Sequence, residues 1–149
     1  MQRLIEESNS YTSKQDSLDH RYLRMAKIWS ENSYAKRRQV GCLIVKDRMI
    51  ISDGYNGTPS GFPNVCEDDH NVTFPYVLHA EANAITKLAG SNNSAHGATL
   101  YCTDMPCMEC SKLIIQCGIV RVVYGWDYHD TRGIELLKKA GIEVVKVSM

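Results

Sequence analysis

The stretches His79-Ala80-Glu81 and Pro106-Cys107-Met108-Glu109-Cys110 set one imidazole, two thiols and a carboxylate at short, fixed spacings. Zinc in proteins is bound tetrahedrally by imidazole and thiolate groups, and a catalytic zinc keeps one of its four positions for water. The three candidate ligands are His79, Cys107 and Cys110. They form a complete set for such a site, and Glu81 is the candidate for moving a proton of the water. The pattern therefore predicts a catalytic metal site.

Both stretches are typical of helix starts. If Pro106 stands just before or at the first helical turn, the two sulfurs project beside free backbone N–H groups, which favour thiolate over thiol. His79 begins a second helix, and Glu81, two residues further on, points elsewhere around it. We therefore expect Glu81 to reach the water rather than the metal.

The spacing H-x-E followed by P-C-x-x-C is the signature of zinc deaminases that act on cytosine or adenine. A structural zinc site, or a chance scatter of six cysteines, is the alternative interpretation. A structural site usually recruits four protein ligands and does not need the carboxylate or the preceding proline. The pattern favours hydrolytic deamination of a nucleobase.

The composition fits one domain and a small substrate. The 149 residues are 44% hydrophobic, which is enough for one core, and nothing resembles a linker between domains. The net charge is zero and the longest basic run is Lys36-Arg37-Arg38, so a nucleic-acid partner has little support. There is no apolar run of membrane-spanning length, and the N-terminal residues do not form a signal peptide. Cys42, Cys102 and Cys117 fall in apolar runs, which favours reduced thiols and a cytoplasmic protein.

The chain alternates helical and extended patterns, as an α/β layer fold requires. Helices are predicted from about Ser17 to Ser30, from His79, from Cys107, and from about Ile134 to Ala140. Strands are predicted at residues 40–45, 49–51, 99–102, 120–124 and 143–147, the first two forming a hairpin. Residues 1–16 or so are predicted to form an N-terminal extension. The loop over residues 56–74, rich in Gly, Pro, Asn and Asp, is long enough to suggest that it covers a pocket.

From about Leu18 to Val147 the chain resembles the deoxycytidylate (dCMP) deaminases of the zinc-dependent cytidine deaminase superfamily. Besides the zinc motifs, the resemblance depends on four segments: Val40-Gly41, residues 54–61 (GYNGTPSG), residues 76–85 (YVLHAEANAI) and Tyr128-His129-Asp130. It implies a cytidine deaminase-like, three-layer α/β/α fold with a five-stranded mixed sheet. It also implies hydrolysis of dCMP to dUMP and ammonia, which supplies dUMP for dTMP synthesis, and commonly a hexamer.

The resemblance also implies substrate contacts. Asn56 would contact the sugar or base edge, Arg37 would bind the phosphate with help from Tyr128, and Ala80 would line the base pocket. Asn56 could instead simply hold a turn, and Arg37 could be a solvated surface charge. Arg38 is an adjacent competitor for the phosphate.

Regulation by dCTP as activator and dTTP as inhibitor, with Mg²⁺ on the triphosphate, is a further implication of the resemblance. The residues expected at such an effector site are Gly54, Tyr55, Gly57, Asp68 and Asp69. A second metal held by Cys66 and His70 is also conceivable in this loop, although two candidate ligands are too few.

Three rival functions remain. A free cytidine or guanine deaminase would share the zinc chemistry but would need no phosphate contact. A tRNA adenosine deaminase would need a basic surface that this neutral chain lacks. A catalytically silent nucleotide sensor would use zinc only for folding, and would leave Glu81 without a role.

Overall fold

The structure, a computed structural model, describes residues 13–149. Most of the predicted extension over residues 1–16 therefore lies outside the described residues. Helix α1 (Lys14–Ser30) begins three residues before the predicted start at Ser17. Its N-cap is Ser13, whose hydroxyl accepts a hydrogen bond from the backbone N–H of Asp16 at 3.0 Å. The apolar periodicity did not reveal this start because a cap depends on one polar contact rather than on buried residues.

Five strands form one mixed sheet in the order β2-β1-β3-β4-β5. Their bounds are β1 (Gly41–Lys46), β2 (Met49–Tyr55), β3 (Thr99–Asp104), β4 (Arg121–Trp126) and β5 (Glu143–Lys146). Strand β1 is antiparallel to both of its neighbours, whereas β3, β4 and β5 run parallel. The predicted β1–β2 hairpin is confirmed. Its two-residue turn, Asp47 and Arg48, has φ angles of 51° and 60°, the left-handed geometry that suits the twist of a tight hairpin.

The helices cover both faces of the sheet. Helices α2 (Ala80–Ala89), α3 (Met108–Gln116) and α4 (Arg132–Lys139) pack on one face and α1 packs on the other. Alternation along β1 separates the two cores, since Cys42 and Ile44 belong to the first and Leu43 and Val45 to the second. The predicted three-layer α/β/α arrangement with a five-stranded mixed sheet is confirmed. No helix within residues 13–149 is long and apolar enough to cross a membrane.

A buried ion pair ties α1 to the sheet. The Asp19 carboxylate accepts hydrogen bonds from the Arg121 guanidinium at 2.8 and 2.6 Å and from the Tyr101 hydroxyl at 2.7 Å. Burial by itself would raise the pKa of Asp19, but the hydrogen bonds from Arg121 and Tyr101 lower it overall. Because either charge alone would be costly to bury, the pair fixes how α1 sits on β3 and β4.

The strand order places the candidate site at one edge of the sheet. Gly118 and Gly141, with φ angles of 85° and 84°, end the helical segments that lead into β4 and β5, as predicted. The returning chain makes β3, β4 and β5 parallel, so their carboxyl ends lie at the same edge. Strand β3 ends there at Asp104, directly before the Pro106-Cys107 turn. This edge is where α/β folds commonly bind ligands.

Candidate metal and active site

Two helix N-termini bring the three candidate ligands together. His79 is the N-cap residue of α2 and Cys107 is the N-cap residue of α3, and neither side chain is used to cap its helix. Cys110 lies one turn into α3 and is buried. The His79 Nδ1 atom lies 3.4 Å from the Sγ atom of each cysteine. All three ligand atoms lie within 4.8 Å of one another.

The donor set fits zinc. Zinc–sulfur bonds of about 2.3 Å and zinc–nitrogen bonds of about 2.1 Å, at a tetrahedral angle, place nitrogen and sulfur about 3.6 Å apart. The observed 3.4 Å separations from His79 Nδ1 are close to that value. One imidazole and two sulfurs are ligands that zinc prefers, and three protein ligands leave one position open. The local geometry is therefore that of a catalytic rather than a structural zinc site.

The two thiols of the candidate metal site have pKa values shifted in opposite directions. A hydrogen bond with Cys110 lowers the pKa of the Cys107 thiol to about 3, with His79 acting in the same direction and burial opposing it. The same hydrogen bond and burial raise the pKa of the Cys110 thiol. The two thiols thus share one proton and titrate as a pair. Because a bound cation stabilises thiolates, we expect both cysteines to be deprotonated when zinc is present.

Glu81 lies in the first turn of α2, two residues after His79, and its side chain is buried. Burial raises the pKa of its carboxyl, although a hydrogen bond from its own backbone N–H and the nearby His79 act in the opposite direction. Gly54 on β2 allows α2 to come this close to the sheet, since a Cβ there would lie 2.4 Å from the Ala80 carbonyl oxygen. The Asn83 amide also donates to the Tyr55 carbonyl at 2.7 Å and fixes α2 against β2.

A cavity of about 380 Å³ opens beside these residues. Among its lining residues are His79, Glu81 and Cys107, and all four predicted substrate contacts: Arg37, Asn56, Ala80 and Tyr128. The predicted loop contributes Asn56, Cys66, Glu67 and Thr73, which agrees with its expected position over a pocket. The volume falls within the range of small-molecule sites.

The two adjacent arginines differ in what their guanidinium groups contact. Arg38 donates to both carboxylate oxygens of Asp104, each at 2.8 Å, and stacks 4.8 Å from the Trp126 ring. Within residues 13–149, the Arg37 guanidinium donates a 3.3 Å hydrogen bond from Nη1 to the Thr73 hydroxyl and forms no salt bridge. A charge already paired with a carboxylate is less available to an anion. The geometry therefore favours Arg37 over Arg38 as a phosphate ligand.

Asn56 holds the segment that carries both arginines. Its amide oxygen accepts from the Val40 backbone N–H, and its amide nitrogen donates to the Arg38 carbonyl, both at 2.8 Å. A side-chain amide has two donors and two acceptor positions, so one of each remains for another partner. The turn-holding alternative thus describes part of what Asn56 does, and a substrate contact stays compatible with it.

The five residues expected at an effector site lie outside the cavity lining. Gly54 and Tyr55 are at the end of β2, where the Tyr55 ring packs edge-on against Trp29 at 6.4 Å. Gly57 forms an isolated bridge with Leu78. The Asp68 carboxylate accepts from the backbone N–H groups of His70 and Val72 within its own turn, and Asp69 is exposed.

The possible second metal site gains no further ligands. Within residues 13–149, the only cluster of three or more histidine, cysteine or acidic ligands is that of His79, Cys107 and Cys110. Cys66 is buried against the cavity, whereas His70 is exposed. The expectation that Cys66 and His70 are too few for a metal stays a prediction.

Sequence reasoning missed the roles of Glu67 and Thr73. Glu67 is only 7% exposed, lines the cavity and accepts hydrogen bonds from the backbone of residues 36 and 37. Thr73 meets the Arg37 guanidinium. Both residues stand outside the helices and strands, 30 and 36 positions from Arg37 along the chain. No local spacing or periodicity marks them, because their partners are brought close only by the fold.

Gly133 supports the turn that carries Cys107, and replacing it with alanine should disturb that turn. A Cβ at Gly133 would lie 2.6 Å from the Pro106 carbonyl oxygen and 2.7 Å from the Cys107 carbonyl carbon. We expect Gly133→Ala to destabilise the protein by about 1–3 kcal/mol, as overpacking does, and to lower its zinc content. Thermal denaturation and metal analysis would measure both. Gly90→Ala is the control, because its Cβ would meet only the Lys87 carbonyl oxygen at 3.8 Å; equal losses in both variants would contradict the prediction.

Comparisons with known proteins agree with this geometry. Deoxycytidylate deaminase of Saccharomyces cerevisiae is 38% identical over 142 residues, covering 89% of this chain and 45% of the yeast protein. The chain thus spans less than half the length of that relative and of its Schizosaccharomyces pombe counterpart. Deoxycytidylate deaminase of Mycobacterium phage D29 is 38% identical over 120 residues, covering 71% of this chain and 92% of the phage protein.

A solved structure and a family model extend the comparison. The crystal structure of dCMP deaminase from the cyanophage S-TIM5, in complex with dCMP and dUMP, matches with a TM-score of 0.85 and 44% identity. The match covers 88% of this chain and 97% of the cyanophage chain. The family model for the cytidine and deoxycytidylate deaminase zinc-binding region matches residues 16–126, which is most of the chain and includes all three candidate ligands. The chain therefore belongs to the zinc-binding family of cytidine and deoxycytidylate deaminases.

Proposed function

We propose that the protein is a zinc-dependent dCMP deaminase, which hydrolyses dCMP to dUMP and ammonia and so supplies dUMP for dTMP synthesis. The observation that carries the proposal is the meeting of buried Glu81 with the His79, Cys107 and Cys110 cluster at one cavity. Support for the substrate comes from Arg37 at the same cavity and from the cyanophage relative, whose structure contains dCMP and dUMP.

The residues of the chain divide the reaction between binding and proton transfer. His79, Cys107 and Cys110 would hold zinc, which when bound lowers the pKa of water from about 15.7 towards 7 and supplies a nucleophile at neutral pH. Glu81 accepts the proton of the attacking water and delivers it to N3 of the cytosine ring. Once the water oxygen has bonded to C4, Glu81 takes the second proton from that oxygen and passes it to the amino group. The C4–N bond then breaks, ammonia leaves, and the oxygen remains as the uracil carbonyl.

The cavity walls position the nucleotide for this chemistry. Ala80 is fully buried, lines the cavity next to Glu81 and, having a small side chain, leaves room there for the flat base. Asn56 retains one donor and one acceptor for the sugar or the base edge. Arg37 and Tyr128 lie on the cavity lining and are exposed, as groups that meet a charged phosphate should be. We assign the phosphate to Arg37 because Arg38 is paired with Asp104.

The remaining proposals concern the domain, its assembly, its regulation and its location. We propose that this chain forms a single deaminase domain, since residues 13–149 contain one sheet covered on both faces. A homo-oligomer, with the hexamer expected from the resemblance, and regulation by dCTP and dTTP with Mg²⁺ are proposed on the resemblance. A cytoplasmic location is proposed because all six cysteines are free and the zinc ligands require reduced thiols.

The test of the function is ammonia release by the zinc-loaded protein. We expect rapid release from dCMP and much slower release from deoxycytidine, CMP and dCTP. Adding dCTP with Mg²⁺ to the other three assays would test activation at the same time. Release from deoxycytidine without release from dCMP would replace the proposal with a nucleoside deaminase. No release from any of the four would favour a nucleotide sensor or a nucleic-acid deaminase.

Replacing Arg37 with alanine should separate nucleotide from nucleoside binding. Because only dCMP carries a phosphate, Arg37→Ala should lower kcat/KM for dCMP by about tenfold or more, as loss of a hydrogen bond to a charged group predicts. Activity on deoxycytidine should change little. The neighbouring Lys36→Ala is the control, since Lys36 is exposed and does not line the cavity. Equal losses for both substrates in Arg37→Ala would refute the phosphate assignment.

A further inference from the structure

Arg37 lies on a segment that has no helix or strand of its own. Residues 35–38 belong to the irregular connection between α1 and β1, and Ala35, Arg37 and Arg38 among them line the cavity. An arginine on such a segment can bind an anion with a defined geometry only if other contacts fix the segment. Two contacts come from Asn56, which holds the Arg38 carbonyl and the Val40 N–H group on the far side of Arg37. The backbone before Arg37 must be fixed by contacts from another residue.

The Glu67 carboxylate fixes the near side. Both of its oxygens accept from the Lys36 backbone N–H at 3.0 Å, and Oε2 also accepts from the Arg37 backbone N–H at 3.4 Å. The carboxylate forms no salt bridge within residues 13–149, so these backbone groups are what stabilise it in a nearly buried position. A buried carboxylate is costly unless such donors satisfy it. The bonds therefore constrain the segment as well as the glutamate.

Glu67 itself is held by a short hairpin over residues 66–74. The Phe74 N–H donates to the Cys66 carbonyl at 2.9 Å, and Glu67 and Thr73 face each other as an isolated antiparallel bridge. Cys66, only 2% exposed, anchors the hairpin against the cavity. Thr73 then meets the other end of the same arginine, since its hydroxyl accepts from Arg37 Nη1 at 3.3 Å. The 66–74 hairpin thus contacts both the backbone and the guanidinium of Arg37.

We infer that Glu67 is a positioning residue that holds Arg37 in place for a substrate phosphate, and that the 66–74 hairpin thereby sets the preference for nucleotides over nucleosides. The inference depends on the proposed function, because it requires a phosphate at Arg37. Glu67 acts through Arg37 and does not touch the reacting atoms. Glu67 also brings a negative charge close to the proposed phosphate site. It favours phosphate binding only if its positioning of Arg37 outweighs its electrostatic repulsion of the phosphate.

Replacing Glu67 with glutamine has two opposite effects on phosphate binding, so the direction of the change tests the inference. Glu67→Gln removes the negative charge, which by itself would strengthen phosphate binding. It also replaces one acceptor oxygen with an NH₂ donor that faces the backbone N–H groups of residues 36 and 37, and this would release the segment. If Glu67 positions Arg37, phosphate binding weakens. If Glu67 is only a nearby charge, phosphate binding strengthens.

The test is the binding of dUMP and deoxyuridine to zinc-loaded protein, measured by calorimetry, together with kcat and KM for dCMP. In Glu67→Gln we expect dUMP to bind about tenfold more weakly, deoxyuridine to change less than about twofold, and KM for dCMP to rise more than kcat falls. Thr73→Val removes the hydroxyl that contacts the Arg37 guanidinium. It should weaken the binding of dUMP by about two- to fivefold and leave the binding of deoxyuridine unchanged. Glu31→Gln, at an exposed glutamate after α1, controls for the change in charge.

Two results for Glu67→Gln would overturn the inference: a stronger preference for dUMP over deoxyuridine, or an unchanged preference, whether neither ligand binds more weakly or both do so equally. If Glu67→Gln fails to fold, the binding of dUMP and deoxyuridine to Thr73→Val tests the inference instead. Thr73 is exposed, and valine preserves its size and shape. Failure of the proposed function would look different, because the wild-type protein would then not deaminate dCMP or prefer dUMP. A wild-type preference that survives both substitutions would refute only the positioning role.

Discussion

Replacing Glu81 with glutamine should lower kcat for dCMP deamination by at least about a hundredfold while the protein keeps its zinc, because general acid–base catalysis contributes about 10²- to 10⁴-fold. Glutamine has nearly the size of glutamate but cannot take a proton from water and return it to the substrate. The carboxylate is buried in the first turn of α2 and lines the cavity beside His79 and Cys107. Steady-state kinetics and metal analysis of the same preparation would measure the two quantities together.

Glu109→Gln is the matched control for this substitution. Glu109 stands in the same motif as two of the ligands, but it is exposed and forms a surface ion pair with Lys112 at 2.8 Å. Surface pairs contribute little, so kcat should stay close to that of the wild-type protein. Near-normal turnover by Glu81→Gln with a full zinc complement would remove Glu81 from the catalytic role.

Replacing Cys110 with serine should remove most of the bound zinc and lower activity by at least about a hundredfold, the upper end of the effect seen for residues that only support metal ligands. A hydroxyl is not deprotonated near neutral pH and is a poor zinc ligand. Cys110 is buried, and its Sγ atom lies 3.4 Å from His79 Nδ1. Because zinc binds only the folded protein, its loss should also lower the denaturation temperature.

Cys117→Ser is the control at the other end of the same helix. Cys117 is the C-cap residue of α3, is half-buried, and its Sγ atom contacts the Ile114 carbonyl at 3.3 Å. We expect this variant to bind one zinc per chain and to retain its activity. Stoichiometric zinc in Cys110→Ser, or zinc loss of equal size in both variants, would show that the predicted ligand set is wrong.

The metal ligands were predictable because their spacing is local. Cys107 and Cys110 lie within one helical turn, and His79 and Glu81 lie within another, so each pair is fixed by the backbone geometry of its own helix start. Much of the fold was predictable for a related reason. Apolar periodicity marks strands such as Val40 to Val45, and glycines mark the ends of helical segments at Gly118 and Gly141.

Contacts between distant residues were not predictable from local patterns. The resemblance put the phosphate on Arg37 and left Arg38 as an adjacent competitor, and the approach of Asp104 and Trp126 to Arg38 is what separates the two in the structure. The start of α1 was placed at Ser17 instead of Lys14, because the signal for it is the Ser13 cap rather than a buried face. The roles of Glu67 and Thr73 were missed because their partners lie on another segment of the chain.

The sequence by itself determined the chemical groups of the candidate site: one imidazole, two thiols and a carboxylate, at spacings that two helix starts bring together. It also determined most of the helices and strands, since apolar periodicity marks the faces that must be buried and glycines mark where helical segments end. Only the tertiary structure decided which arginine is free for a phosphate and what holds it. Those properties depend on hydrogen bonds such as those that the backbone N–H groups of residues 36 and 37 donate to Glu67, across 31 and 30 positions of the chain, and these groups meet only when the chain is folded.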